Sequence, residues 1–340
     1  MANKTILVTG AAGYIGSHIC VELLAAKYCV IAIDNLANGS SAAIRRAQQC
    51  GQGEIRFYPM DIRDRPALDS LLQTHPVDAA IHCAGLKIMS ESVTQPLRYF
   101  ENNVSGSATL LQALERSGVR NFVFSSSAAV YGAPASVPIP ESAPVSANNP
   151  YSRSKLTVEQ LLADLHDADP RWAIGVLRYF NPAGAHPSGL LGDSPRGMAS
   201  NLMPAMARVA LGQQPMLSIF GDDYPTIDGT GVRDYIHVAD VASAHVAALD
   251  HLFGAGSGFT LNLGTGRGYS VLEMIKTFEL ACARTIPYRI EPRRSSDSAA
   301  CYADPAQALA LLGWQARKGL ADMCADHWRW HTQNPDGYAE

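Results

Sequence analysis

The sequence predicts an α/β fold: a doubly wound parallel sheet with a smaller mixed α/β domain attached. Three observations predict it. Short apolar runs alternate with helical stretches through the first half of the 340 residues, a glycine-rich turn follows the first run, and an acidic residue closes the second. Repeated βαβ units of this kind build a parallel sheet with helices on both faces.

In chain order, residues 5–9 form a β-rich run, residues 10–16 the turn, and residues 17–26 show helical periodicity. Residues 30–33, 55–58, 79–83, 122–125 and 174–177 are further apolar runs of strand length, most of them separated by helical stretches. The pattern changes after Tyr179. Between residues 181 and 233 prolines and glycines are frequent (Pro182, Gly184, Pro187, Gly189, Gly192, Pro195, Gly197), with one helical piece near 202–211. A loop-rich segment hung on a sheet usually carries specificity. Residues 238–252 read as a helix and 259–263 as a strand, a unit expected to return to the first sheet. Ser270 to Glu273 has capping-box spacing and opens a helix to about residue 283. The expected division is residues 1–180, rejoined by 238–263, against residues 181–237 and 264–340.

Hydrophobic residues make up 47% of the chain, charged residues 17%, and the formal net charge is -4. This is globular composition. No basic stretch stands out, so nucleic acid is not an expected partner, while a local cluster can still bind an anionic substrate. The seven cysteines (Cys20, Cys29, Cys50, Cys83, Cys282, Cys301, Cys324) include no C-x-x-C pair, which fits a reducing compartment. Met1-Ala2-Asn3-Lys4 leaves no room for a signal peptide, and no apolar run is long enough for a bilayer. A cytoplasmic location without a membrane partner is the expectation.

Gly10-Ala11-Ala12-Gly13-Tyr14-Ile15-Gly16 has the spacing G-x-x-G-x-x-G between a strand and a helix. Glycines there let backbone approach a pyrophosphate, and the helix N-terminus faces its charge. Asp34 ends the second strand 18 residues after Gly16. An acid at that place binds a ribose diol and repels a 2′-phosphate, so the site reads as Rossmann-type and the cofactor as NAD. The competing role for Asp34 is a helix cap or turn. A second cluster, Gly264-Thr265-Gly266-Arg267-Gly268, lacks a following acidic strand end and reads as a structural turn.

Tyr151-Ser152-Arg153-Ser154-Lys155 follows two asparagines and Pro150, which suit a helix start, so Tyr151 and Lys155 lie one turn apart on one face. A free tyrosine titrates near 10 and is a poor base at neutral pH. A nearby ammonium and a positive nicotinamide are expected to stabilise the phenolate and make it a general base. Ser125-Ser126-Ser127 sits at a strand end, 24 residues before Tyr151 counted from Ser127, where Ser127 can bridge substrate and tyrosine. Glycine turn, acid, serine and Tyr/Lys in this order mark the short-chain dehydrogenase/reductase superfamily.

Within that superfamily the chain resembles the UDP-glucose (UDP-galactose) 4-epimerase family, of the extended branch, from about residue 5 to 338. Matching stretches include residues 9–17, Asp34-Asn35, Gly85-Leu86-Lys87, Glu91-Ser92-Val93, Asn102-Asn103-Val104, residues 124–132, 177–189, Asn201-Leu202-Met203-Pro204 and residues 229–238. The resemblance implies roles. Asp61 and Ile62 would flank the adenine. Gly10, Gly13, Tyr14, Ile15, Gly16, Asn35, Cys83, Ala84, Gly85, Lys87, Asn102, Ser125, Tyr179 and Phe180 would complete the cofactor site with Tyr151 and Lys155. Asn181, Asn201, Leu202, Ser218, Ile219, Phe220, Arg233, Arg294, Asp297 and Cys301 would hold the UDP-sugar with Ser127 and Tyr151. Arg233 and Arg294 can fork onto a diphosphate, and Asp297 can accept from a ribose. A homodimer through helices near residues 97–114 and 151–166 is also implied.

Four departures stand out. Ala129 replaces a usual threonine, leaving more hydrogen bonding to Ser127. Ser152 and Arg153 replace Gly-Lys and are expected to face away from Lys155, with little effect. Ser295-Ser296 replaces Glu-Gly beside the uridine. Cys301 stands where some members have a tyrosine that restricts the sugar's 2-position, so a thiol is expected to admit a 2-acetamido group, and with it UDP-GlcNAc and UDP-GalNAc. A 4,6-dehydratase would need an acidic pair at Ser127-Ala128, which is absent. A 4-keto reductase, a UDP-glucuronate epimerase and a non-catalytic NAD-binding regulator compete with the epimerase; intact Tyr151 and Lys155 argue against the regulator. His237, Asp240 and His245 read as structural and no metal is expected. Trp314, Trp328 and Trp330 read as core, and Cys83 as a small packing residue.

Overall fold

The computed structural model describes residues 4–194, 201–294 and 297–338. β1 (Thr5–Thr9) leads through the glycine turn into α1 (Tyr14–Ala25). β2 (Cys29–Asp34), α2 (Ser41–Gly51), β3 (Ile55–Pro59), α3 (Arg65–Thr74) and β4 (Ala79–His82) continue the alternation. Two short helices, α4 (Met89–Thr94) and α5 (Pro96–Phe100), pass through a π-helical turn at Glu101–Ser105 into α6 (Gly106–Arg116). β5 (Asn121–Ser127), α7 (Pro150–Ala168) and β6 (Ala173–Tyr179) follow.

Beyond Tyr179 the strands shorten. β7 (Asn181–Ala183) and α8 (Leu202–Ala210) precede β8 (Leu217–Phe220), β9 (Val232–Arg233) and β10 (Tyr235–His237). α9 (Val238–Ala255) and β11 (Phe259–Leu263) are followed by β12 (Tyr269–Ser270), α10 (Val271–Cys282) and β13 (Tyr288–Glu291). β14 (Ala300–Cys301), α11 (Ala306–Leu312) and α12 (Leu320–Gln333) complete the order.

Seven strands form one sheet in the order β11-β6-β5-β4-β1-β2-β3, and every pairing in it is parallel. Side chains alternate across a strand. Ile6 and Val8 of β1 therefore pack with α1, α2 and α9, while Leu7 packs with α3, α6 and α7 on the other face. Burial on both faces explains why these strands read as near-continuous apolar runs. The loop-rich half has its own core, in which Met203, Met206, Leu217, Ile219, Met274, Phe278 and Met323 are buried together. β11 lies at the edge of the large sheet, paired with β6, and α9 packs against α1, β5 and β6. Among the described residues no helix is long and apolar enough to cross a membrane.

Candidate active site

Strand order reverses around β1 and β4, and a groove opens at their C-terminal ends. Gly10 takes φ +68°, which glycine tolerates, and a Cβ there would lie 2.6 Å from Ala84 N. A Cβ on Gly16 would lie 2.2 Å from the Gly10 carbonyl oxygen, so α1 starts tight against the turn. The α1 N-cap is Gly13, which has no side chain to satisfy the first amides. Tyr14, Ile15 and Gly16 line the groove, so this helix N-terminus is presented to an anion. Asp34 accepts from Ala12 N (3.0 Å) and Leu36 N (2.7 Å), which fixes its carboxylate at the rim. Asn35, Ile62, Cys83, Ala84, Gly85, Lys87 and Asn102 line the same groove. These residues fit a dinucleotide, with its pyrophosphate at the turn and a ribose diol at Asp34.

Asn102 and Asn103 fall in the π-helical turn, a device that recurs at functional sites. Asn102 lines the groove. Buried Asn103 bonds Leu86 N (2.8 Å), Leu86 O (3.0 Å) and Ser154 Oγ (3.0 Å), and so fixes the loop that carries Gly85 and Lys87.

Pro150 sits in the first turn of α7, where a missing N–H is harmless. Asn149 Oδ1 accepts from Ser152 N (2.9 Å), and Ser152 Oγ accepts from Asn149 N (3.2 Å). The helix so begun brings Tyr151 and Lys155 to one face, and both line the groove. Lys155 Nζ donates to the Ser125 carbonyl at 2.8 Å. Burial pulls its ammonium down to about 8, against Cys83 and Glu159, which raise it. Burial also raises the Tyr151 phenol above its ordinary value, and a hydrogen bond with Ser127 opposes this only in part. Among the chain's own groups, desolvation sets the direction of this shift. Ser127 Oγ also accepts from Ala129 N (3.2 Å), the residue that stands for the usual threonine.

Behind this pair lies a buried network. Glu159, one turn beyond Lys155, pairs with Arg178 of β6 at 2.6 Å, with side chains only 7% and 10% exposed. Ser126 Oγ donates to the same carboxylate. Arg178 reaches the Tyr131 hydroxyl at 3.0 Å, which donates to Asn262 at 2.8 Å. Ser126 is thus pinned between two residues that serve the site, Ser125 through its carbonyl and Ser127 through its hydroxyl.

A second cavity of about 510 Å³ adjoins the groove, a size suited to a small ligand. Tyr14, Ile15, Lys87, Tyr151, Tyr179 and Asp193 line both. Ser127, Asn181, Asn201, Leu202, Ser218, Ile219, Phe220, Arg233, Arg294 and Asp297 also line the second cavity. The Arg294 guanidinium lies 4.6 Å over the Phe220 ring and pairs with Asp297 at 2.9 Å. Two guanidiniums in one wall suit a diphosphate.

Several expected residues stand elsewhere. Ser125 is fully buried, and its hydroxyl meets Cys83 Sγ (3.1 Å) and His245 Nε2 (2.8 Å), so it acts through Lys155 and not by lining the groove. Asp61 turns to Arg63 (2.9 Å) and Asn35 (2.9 Å), and the Arg63 hydrogen bond holds its carboxyl well below the usual range. Phe180 lines the second cavity instead of the groove. Cys301 does not line the cavity; it is paired with Arg233 in register and packs on the buried cluster that includes Phe180. Ser152 is fully buried and completes the α7 cap, so its replacement of glycine is not without effect. Ser295, Ser296, Pro195 and Gly197 lie outside the described residues.

The residues held to be structural all have protein partners. His237 caps α9 and meets Asp326 (3.2 Å), and Asp240 accepts from Arg317 N and Lys318 N. Burial pushes the Cys83 thiol up to about 11, away from thiolate chemistry. Trp314 and Trp330 are buried and Trp328 packs on the second core. Sequence reading missed Ser40, Met60, Gly192, Asp193, Ser194 and Tyr338 in the groove, and Arg208, Gln214, Tyr224 and His327 in the cavity. Only Glu159 left a local signal, its helical spacing from Lys155.

Comparison with known proteins places this geometry among relatives. Residues 6–264 match the model of the NAD dependent epimerase/dehydratase family. A curated UDP-glucose 4-epimerase of Bacillus subtilis (strain 168) is 53% identical, over 98% of both chains. The crystal structure of UDP-glucose-4-epimerase from Stenotrophomonas maltophila, with bound NAD and formylated UDP-arabinopyranose, is 51% identical with a TM-score of 0.96, covering 98% of this chain and 99% of that one. The UDP-glucose 4-epimerase of Bifidobacterium longum, in complex with NAD+ and UDP, is 48% identical with a TM-score of 0.94, covering 98% of this chain and 100% of that one.

Proposed function

The chain belongs to the NAD dependent epimerase/dehydratase family, among its UDP-glucose 4-epimerases, and from that premise we propose how its residues divide the work. It acts on UDP-hexoses with NAD as its cofactor. The observation that carries the division is the meeting of groove and cavity at Tyr151. Gly10, Gly13, Gly16, Asp34, Lys87 and Asn102 hold the dinucleotide; Arg233, Arg294 and Asp297 hold the UDP end of the sugar nucleotide.

When bound, NAD supplies a hydride acceptor next to the sugar and a positive charge that favours the Tyr151 phenolate. Tyr151 takes the proton of the 4-hydroxyl, and Ser127 orients that hydroxyl. Lys155, held by the Ser125 carbonyl, stabilises the phenolate. The 4-keto sugar turns about its diphosphate, which the two arginines keep in place, so that C4 takes the hydride back on its other face while Tyr151 returns the proton to the 4-oxygen. Oxidation and reduction cancel, so no external reductant is consumed.

The reading extends to UDP-N-acetylhexosamines. A thiol at Cys301 is smaller than a phenol and packs on the buried cluster that includes Phe180, which lines the cavity. It extends also to a homodimer, since Val93 and Leu97 are 64% and 84% exposed on helices that pack beside α7.

The test is to incubate the purified protein with UDP-galactose, and separately with UDP-GalNAc, with no NAD added, and resolve the products by chromatography. Conversion of both supports the epimerase reading and its extension to UDP-N-acetylhexosamines. Conversion of UDP-galactose alone removes the Cys301 argument. Conversion of neither, with NAD then supplied, overturns the assignment.

A further inference from the structure

We propose that Tyr338 is a cofactor-retaining residue: it locks residues 192–194 as the outer wall of the dinucleotide groove and slows the release of NAD. The proposal rests on the reading that this groove holds NAD. Tyr338 stands more than three hundred positions from the glycine turn, yet it lines the same groove, with Gly192, Asp193 and Ser194 beside it. Its hydroxyl accepts from Gly192 N at 3.1 Å and donates to Gly192 O at 3.0 Å. Both backbone groups of Gly192 are thereby taken by one side chain. Ser194 Oγ accepts from Tyr338 N at 3.4 Å, which ties the wall a second time.

The clasp is anchored to both halves of the molecule. The Tyr338 ring lies 4.8 Å from fully buried Trp330 of α12, and the Arg46 guanidinium lies 5.1 Å over it. Arg46 belongs to α2, in the layer that covers the large sheet, and it also donates to Leu190 O (3.1 Å) and Asn334 Oδ1 (2.6 Å). One arginine therefore joins the α2 layer, the 190–194 wall and the chain segment that carries Tyr338. Burial raises the Tyr338 phenol far above neutral pH, so the hydroxyl keeps its proton and its bond to Gly192. An epimerase that returns its own hydride never needs to exchange NAD, and for such an enzyme a slow release is a functional gain. Leaving on this side requires breaking the Tyr338–Gly192 pair.

The test measures exchange of bound NAD for isotopically labelled NAD in the purified holoenzyme. Tyr338→Ala is expected to exchange about tenfold faster than the parent, and Tyr338→Phe, which keeps the ring but loses the hydroxyl pair, about threefold faster. Activity that Tyr338→Ala loses on dilution should return when NAD is added, which a merely damaged fold would not do. If Tyr338→Ala does not fold, Tyr338→Phe decides alone. Exchange at the parent rate in the variants overturns the proposal. A parent protein that carries no NAD overturns the reading beneath it, and that is seen without any variant.

Discussion

Two glycine turns in this chain each follow a strand and open toward a helix, and they have opposite fates. In the first, residues 10–16 leave the N-terminus of α1 uncapped and facing a groove. In the second, Gly264-Thr265-Gly266 closes around a carboxylate of the chain itself. Asp234 accepts from Thr265 N (2.9 Å), Thr265 Oγ1 (2.7 Å), Gly266 N (3.1 Å) and Ala303 N (3.1 Å). A Cβ on Gly264 would lie 2.4 Å from that carboxylate, which is why glycine stands there. The helix beyond this turn is capped in addition by Ser270, whose Oγ accepts from Glu273 N at 3.0 Å. In the first turn too one amide, that of Ala12, is taken by the chain's own Asp34, so what separates the two is the uncapped helix start that faces a groove.

The contrast can be broken at either turn. The largest effect is expected at Gly16→Ala, which forces a Cβ into the Gly10 carbonyl: NAD content of the purified protein should fall at least about tenfold, measured by release and absorbance. Asp234→Ala should act on stability instead. One buried and three partly buried donors lose their acceptor, so unfolding free energy should drop by about 3 kcal/mol in denaturant titration, with NAD content per folded chain retained. Glu159→Gln sharpens the same idea in the catalytic wall. Burial already brings Lys155 down to about 8 and the Glu159 carboxylate raises it, so its loss lowers that value further. The ammonium is then lost at lower pH, and the alkaline limb of kcat should move toward neutrality; an unmoved limb would make Glu159 purely structural. Ser270→Ala should cost least, about 1 kcal/mol, as loss of one cap.

The same contrast explains what the sequence could reveal. Gly10, Gly13, Gly16 and Asp34 are legible because a βα turn and the next strand end impose their spacing within one short stretch. Tyr151 and Lys155 are legible because one helical turn separates them. The cavity is not readable in that way. Arg233, Arg294 and Phe220 come from separate short strands and loops with no common period, so only resemblance joins them. Tyr338 and Gly192 are invisible, since nothing local pairs positions so far apart. The sign of the Tyr151 shift escapes the sequence because burial depth is a property of packing, not of the Tyr-Lys spacing. Ser152 escapes it for a related reason: a capping bond depends on the backbone before Pro150, which spacing alone does not describe.

The most direct test of the central claim is the fate of hydrogen at C4. UDP-galactose carrying deuterium at that carbon would be converted in ordinary water by the holoenzyme with no NAD added, and the product examined by mass spectrometry and NMR. The account predicts UDP-glucose that keeps deuterium at C4, because the atom leaves as hydride and returns to the same sugar. Loss of deuterium to the solvent would contradict it.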